Sequence, residues 1–285
     1  MPSRRSWLAQ AAVTASSLAA LPAMSLAAPT APGRLRQSVC RWPFSAVPLP
    51  EFARTVKAMG IEAIDLLTDD ELPVVRDAGL LCSMVTPTKR PDFIARGLGD
   101  RANHALLLGE LERAIESAVR FGAPNVITMP GNRYGRRDPE IIEATAEALR
   151  KIAPLAEARG ITLHLEMLNS RVDHRDFAMD TTALGVAICE AVGSPRVKLL
   201  YDVYHMQIME GDVIRTIGAQ SKYIGHVHTA GVPGRHEIGD TQELFYPAIM
   251  RALAAQGFSG FVAHEFVPTG PWEVSLREAV ARCTV

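Results

Sequence analysis

The sequence predicts an α/β fold built as a single (β/α)8 barrel, and three observations carry that prediction. Eight short apolar runs alternate with longer amphipathic ones between residue 36 and residue 285. The short runs are almost continuously apolar, as parallel strands buried on both faces must be. An open doubly wound sheet is the rival, but no Gly-x-Gly-x-x-Gly follows the first run and no Gly-Lys-Ser/Thr phosphate loop occurs anywhere. Eight such units in a chain of this length fit one barrel.

The elements follow in order. The first strand is expected at 37–41 and is followed by a helix at 49–59, with Pro50 in its first turn and Gly60 just past its end. A strand at 63–67, a short helix at 69–78 and a strand at 80–85 come next. A helix at 103–121 stops at Gly122 and leads to a strand at 125–129. The helix at 138–159 opens on Asp138-Pro139 and stops at Gly160, a strong pair of boundary signals. Strands at 162–166 and 197–202 bracket a helix at 181–192 that ends at Gly193. A short helix at 211–220, a strand at 224–228, a helix at 247–256, a strand at 260–265 and a helix at 273–283 complete the series.

Composition narrows the function classes. The chain has 285 residues, 48% apolar and 21% charged, with a net charge of -1. This is a globular balance, which excludes a disordered or collagen-like chain. A near-neutral balance also weighs against nucleic acid as the main partner, which would favour a basic face. The only long apolar stretch lies at the N-terminus, so a multi-span membrane protein is excluded.

That N-terminal stretch reads as an address. Arg4-Arg5 precedes Trp7-Leu8, an Ala/Leu/Val-rich run extends to Leu26, and small residues gather at Ser25, Ala27 and Ala28. Charged start, apolar middle and small-residue exit are the parts of an export signal, and the paired arginines give it the twin-arginine form. Residues 1–28 are therefore expected to be a signal peptide, 29–35 a linker marked by Pro29, Pro32 and Gly33, and 36–285 the barrel domain. The expected location is periplasmic or secreted, with no stable membrane span after cleavage. Cys40, Cys82, Cys189 and Cys283 are scattered without Cys-x-x-Cys spacing, and buried free thiols are expected.

In a barrel of this kind function gathers at the carboxyl ends of the strands. The fifth to eighth strands end in Glu166, Asp202, His228 and Glu265. One carboxylate at a strand end is ordinarily a helix cap. Four ligand-type side chains on four consecutive tips are hard to explain by capping alone. Three carboxylates and an imidazole suit one divalent ion, Mn²⁺, Mg²⁺ or Co²⁺, with Zn²⁺ also open. His226 and His264 read as packing residues or as supports behind the ligands. Glu237 and Asp240 read as solvated loop carboxylates. Trp42 is a pocket wall or a packing residue, and Asn132 and Arg133 lie in the fourth βα loop, where they can reach a substrate.

From Arg36 onward the chain resembles the hydroxypyruvate isomerase family within the xylose-isomerase-like barrel superfamily. Three blocks carry the resemblance: Tyr-Asp-Val-Tyr-His-Met-Gln-Ile-Met-Glu-Gly-Asp at 201–212, His-Val-His-Thr-Ala-Gly-Val-Pro-Gly-Arg-His-Glu at 226–237, and Gly-Phe-Val-Ala-His-Glu-Phe-Val-Pro-Thr-Gly at 260–270. The N-terminal half matches mainly in layout. The resemblance implies that Glu166, Asp202, His228 and Glu265 form the metal quartet and that Glu166 and Glu265 are the catalytic acid/base pair. It also implies that His205 and Arg235 contact substrate. One departure is His228, where hydroxypyruvate isomerases carry Gln and sugar epimerases carry His. The export signal is another, and the stretch from Leu66 to Leu72 looks short.

The implied reaction moves a proton at a carbon beside a carbonyl, through an enediolate stabilised by the ion. The leading expectation is a metal-dependent isomerase that interconverts hydroxypyruvate and 2-hydroxy-3-oxopropanoate. A ketose 3-epimerase or another sugar isomerase of the superfamily, favoured by His228, stays open. So does a keto-inositol dehydratase using the same quartet. From another class, an exported carbohydrate-binding barrel without catalysis is the alternative, weakened by the presence of both glutamates. The expected partner is a small keto acid or sugar, and a homo-oligomer is left open.

Overall fold

The computed structural model describes residues 34–285. The export signal and all but the last two residues of the expected linker lie outside the described residues. Eight parallel strands form one sheet: β1 (Arg36–Cys40), β2 (Ala63–Asp65), β3 (Leu81–Cys82), β4 (Asn125–Thr128), β5 (Thr162–Glu166), β6 (Val197–Asp202), β7 (Ile224–Thr229) and β8 (Phe261–His264). The strand order is β3-β2-β1-β8-β7-β6-β5-β4. Single parallel bridges from Val85 to Leu67 and to Val126 close the ring between β3 and β4. The α/β barrel read from the sequence is thus the fold observed. β3 is shorter than the expected 80–85 because the chain beyond Cys82 pairs only through Val85.

Nine helices surround the described sheet: α1 (Leu49–Ala58), α2 (Leu72–Asp77), α3 (His104–Phe121), α4 (Asp138–Arg159), α5 (Thr182–Val192), α6 (Val203–Met209), α7 (Val213–Gln220), α8 (Tyr246–Ala255) and α9 (Trp272–Cys283). α3 and α4 stop where the sequence said, because Gly122 and Gly160 both take φ of 71°, a left-handed turn that releases the chain into the next strand. α6 was not expected. It begins directly at the end of β6, with no turn residue to announce it. Asp202 caps it by accepting hydrogen bonds from the backbone N–H of Tyr204 at 2.8 Å and of His205 at 3.2 Å.

Two features of register set the site. Alternation along β5 sends Leu163 and Leu165 into the apolar layer under the helices and His164 and Glu166 into the lumen. Between Leu199 and Leu200 the pairing of β6 on β7 shifts by one residue, so Asp202 lies opposite His228. Without that bulge Asp202 would face Val227, and the histidine would turn to the other side of the sheet. All four cysteines are buried and free, as expected.

Candidate active site

The strand tips converge. One ligand atom from each of Glu166, Asp202, His228 and Glu265 lies within 4.8 Å of the others, and all four side chains are buried. The structure therefore brings together the quartet that the tips predicted. His205 and Arg235 join it. His205 comes from the first turn of α6, three residues past Asp202. Arg235 sits in the loop after β7 with φ of 59°. Its guanidinium carbon lies 5.4 Å from the centre of the Trp42 ring and 5.3 Å from that of Tyr204. Both rings present a face to the cation and hold it in place.

Glu265 is the most heavily engaged carboxylate. Its Oε1 accepts a hydrogen bond from Trp42 Nε1 at 2.6 Å, and its Oε2 accepts one from Arg235 Nη2 at 2.6 Å. The same Oε2 is 2.7 Å from His228 Nδ1. Arg235 Nη2 also reaches Asp202 Oδ2 at 3.3 Å. Burial works to raise Glu265, but Arg235, His228 and Trp42 overcome it and hold this carboxyl well below the usual carboxylate range. Glu166 goes the other way. Burial, reinforced by the nearby charge of Glu265, raises it. Burial also lifts Asp202 to about 7, against the pull of Arg235 and with a push from Glu265.

His205 is held from both sides of its ring. Its Nδ1 accepts from the backbone N–H of Asn169 at 3.1 Å and faces the Asn169 side-chain amide nitrogen at 2.7 Å. Asn169 Oδ1 is taken by the N–H groups of Val172 and Asp173, which fixes the amide with its nitrogen toward the ring. On the other side of the His205 ring, Nε2 lies 3.1 Å from Arg235 Nη1, itself a donor, and 3.6 Å from Asp202 Oδ2. Burial, with Arg235 adding to it, keeps the ring neutral. His205 thus stands beside the quartet as a neutral imidazole fixed between Asn169 and Arg235.

The donor set fits a divalent cation. Glu166 Oε1 lies 3.2 Å from His228 Nδ1 without hydrogen-bond alignment, and it is buried with no hydrogen-bond partner. An unpartnered carboxylate oxygen among two further carboxylates and an imidazole is the arrangement that a hard or borderline divalent ion satisfies. Glu166, Asp202, His228 and Glu265 are the residues that would hold it.

Several supporting residues escaped the sequence. Asp65, at the end of β2, is fully buried; its Oδ2 lies 2.9 Å from His228 Nε2 and 3.2 Å from His226 Nε2. Ser83 donates to its other oxygen, and Cys40 Sγ lies 3.6 Å from Oδ2. The histidines outweigh the upward effect of burial, and Asp65 stays ionised far below its ordinary value. His226 is accordingly a support behind a ligand. His264 packs, bonded to Gln37 and Thr229.

Other loop readings change. Trp42 is more than a wall, since its N–H positions Glu265. Glu237 is not a free solvated carboxylate. It accepts from Thr269 N at 2.7 Å, Thr269 Oγ1 at 3.0 Å and Ser275 Oγ at 3.0 Å, which ties the loop after β8 to the loop after β7. Asp240 is an exposed partner of Arg282. Arg133 pairs with Asp138 and with Asp180 at 3.7 Å, and Asn132 bridges to Phe177, so both pin neighbouring loops together. Among the described residues no helix is long and apolar enough to cross a membrane.

The chain is 31% identical over 235 residues to a putative hydroxypyruvate isomerase of Homo sapiens, an alignment that spans 78% of this chain and 85% of the human protein. It is 35% identical over 161 residues to a 2-oxo-tetronate isomerase of Cupriavidus necator, covering 56% of this chain and 61% of that one. Among solved structures, a family 2 AP endonuclease from Brucella melitensis superposes with a TM-score of 0.78 at 24% identity, over 87% of this chain and 99% of that one. At that identity the likeness speaks for the fold alone. The family model described as xylose isomerase-like TIM barrel matches residues 54–283, and the chain belongs to that family.

Proposed function

We propose that this protein is a metal-dependent isomerase that interconverts hydroxypyruvate and 2-hydroxy-3-oxopropanoate. One observation carries the reading most directly. Two buried glutamates from β5 and β8 meet at one point, with ligand atoms within 4.8 Å of each other, beside a guanidinium held between two rings. Such a pair is suited to take a proton from one carbon and return it to the next. The similarity to the human and Cupriavidus proteins supports the same class.

The bound ion would supply a Lewis acid that stabilises negative charge on the substrate's carbonyl and neighbouring hydroxyl oxygens. The chain's own residues do the rest. Arg235, held by Glu265 and Asp202 through Nη2, sets its fixed positive charge beside the substrate carboxylate, a group that a neutral ketose lacks. Glu265, ionised and steadied by Trp42, accepts the C3 proton of hydroxypyruvate, and the C3–H electron pair becomes the C2–C3 double bond of an enediolate. Glu166, on the other strand tip and in its acid form, delivers a proton to C2. The neutral His205 imidazole lies beside the substrate oxygens while the hydroxyl proton passes from O3 to O2. The product has the aldehyde at C3 and the hydroxyl at C2, with no atom gained or lost.

A 2-oxo-tetronate substrate is the second reading, because it presents the same carboxylate to Arg235 and the Cupriavidus relative is so named. The test is proton exchange by NMR in D₂O with protein reloaded with Mn²⁺, Mg²⁺ or Co²⁺. Hydroxypyruvate should take up deuterium beside its carbonyl faster than 2-oxo-tetronate or D-fructose. Glu166→Gln and Glu265→Gln should each lower the rate by about 10²- to 10⁴-fold. Fastest exchange in D-fructose would overturn the keto-acid assignment in favour of a ketose epimerase. Tight ion binding with no exchange in any of them would favour the dehydratase or binding-protein readings. The Arg4-Arg5 leader supports export as part of the proposal. Arg4→Lys with Arg5→Lys should then leave the protein in the cytoplasmic fraction.

A further inference from the structure

A second concave site lies at the opposite end of the lumen from the carboxylate cluster. Alternation along the strands that places Glu166, Asp202 and Glu265 at one mouth places Arg36, Thr162, Lys198 and Phe261 in the layer at the other. These residues, with His164, line a cavity of about 740 Å³. Its lining holds three cationic side chains, Arg36, Arg196 and Lys198, and no acidic one. In a chain with a net charge of -1, that segregation creates a local positive field. The rest of the wall includes Phe261, Phe258, Leu253, Ile217 and Ile224, so the cavity has a cationic side and an apolar side.

Its polar groups are built in but not satisfied. His164 is 1% exposed, and neither of its ring nitrogens has a hydrogen-bond partner. Arg36 is held from two directions, with Nε donating to Glu62 Oε2 at 3.0 Å and the guanidinium carbon 3.9 Å from the centre of the Phe261 ring. Its Nη2 is buried without a partner. Three of the ten buried unpartnered side-chain atoms among the described residues therefore belong to this one cavity. Buried polar groups are nearly always paired, so their convergence calls for a ligand. Gly225 lines the same cavity, and a Cβ there would lie 2.6 Å from His164 Nε2, so only glycine leaves that edge of the ring clear.

We propose that this cavity binds a small organic anion, with a phosphate or carboxylate head on Arg36, Lys198 and His164 and an apolar body against Phe261 and Phe258. The site is separate from the carboxylate cluster and independent of its chemistry. Phenyl phosphate is the probe, titrated calorimetrically into the full chain, with inorganic phosphate and phenol as controls. One equivalent should bind with a Kd of about 1 mM or tighter, more tightly than either control. Arg36→Gln and Lys198→Gln should each weaken it about tenfold. Lys198 is only partly buried and bonds one backbone carbonyl, so Lys198→Gln keeps the test usable if Arg36→Gln misfolds. The His164 ring nitrogens should shift in ¹⁵N NMR on addition of the probe, and Glu265→Gln should leave the affinity unchanged. Equal affinity in the wild type and both cavity variants, or binding lost in Glu265→Gln with the His164 ring unmoved, would overturn the proposal.

Discussion

Asp65 Oδ2 lies 2.9 Å from His228 Nε2, and this buried pair decides which way the histidine faces. An ionised carboxylate only accepts, so Nε2 keeps its proton toward Asp65, and Nδ1, 2.7 Å from Glu265 Oε2, is the nitrogen that would exchange its proton for a metal ion. Ser83 and Cys40 occupy the remaining sides of Asp65. Asp65→Asn removes the charge while keeping the shape. We expect Mn²⁺ affinity to fall by about 10- to 100-fold, the usual consequence of losing the carboxylate behind a metal-binding histidine. Titration of the apoprotein followed by electron paramagnetic resonance measures it. Unchanged affinity would mean that the histidine does not depend on Asp65.

Arg235 spans Glu265 and Asp202 with one nitrogen and stacks between Trp42 and Tyr204. Arg235→Lys keeps the charge but loses the planar fork and most of the stacking. The expected result for hydroxypyruvate turnover is a KM raised at least about tenfold, with kcat changed much less, because ground-state and transition-state binding of a carboxylate fall together. Steady-state kinetics with saturating metal separates the two constants. A fall in kcat alone would instead place Arg235 on the developing charge of the reaction.

Much of this was legible because barrel chemistry sits at strand ends and strand ends are easy to read. Glu166, Asp202, His228 and Glu265 each close an apolar run, and a polar residue after such a run is conspicuous. Asp65 stands in the same position on β2, yet it hides inside the expected run 63–67, since Leu66 and Leu67 continue the apolar pattern past it. What distinguishes it is pairing: Cys40 is its neighbour on β1, and the lumen brings it to His228. Asn169 was invisible for another reason. Its role depends on an amide orientation fixed by the backbone of Val172 and Asp173, which no spacing encodes. α6 has no start signal of its own, because its cap, Asp202, is also the last residue of β6.

Gly97 and Gly131 mark where the loop after β3 crosses the loop after β4. A Cβ on Gly97 would lie 2.1 Å from Gly131 N and 2.2 Å from Pro130 C, both backbone atoms that cannot swing aside. The crossing is stitched by Leu98 N–H to Met129 O at 2.9 Å and Gly99 N–H to Pro130 O at 2.7 Å. Gly97→Ala is expected to destabilise the fold by about 3 kcal/mol or more, the scale of an unrelieved steric insertion. Urea unfolding of the purified variant measures the loss.

Glu237 gives a pH dependence whose sign can be worked out. Burial opposes its charge, but hydrogen bonds from Thr269 and Ser275 outweigh that and lower its pKa to about 2 from an ordinary 4.5. Between those two values the unfolded chain binds more protons than the folded one, so stability rises with pH through that window. The contribution is complete above about pH 4.5 and disappears as the pH falls toward 2. Glu237→Gln keeps one acceptor oxygen but loses the charge. Because the side chain is partly exposed, the loss at pH 7 should be modest, about 1 kcal/mol for a charge-assisted bond weakened by solvent. At pH 3 the wild type has lost part of its own advantage and the two proteins should unfold closer together. Denaturant titrations of both proteins at the two pH values make the comparison. A gap that widens on acidification would show that the loop is held by Thr269 and Ser275 through something other than the Glu237 charge.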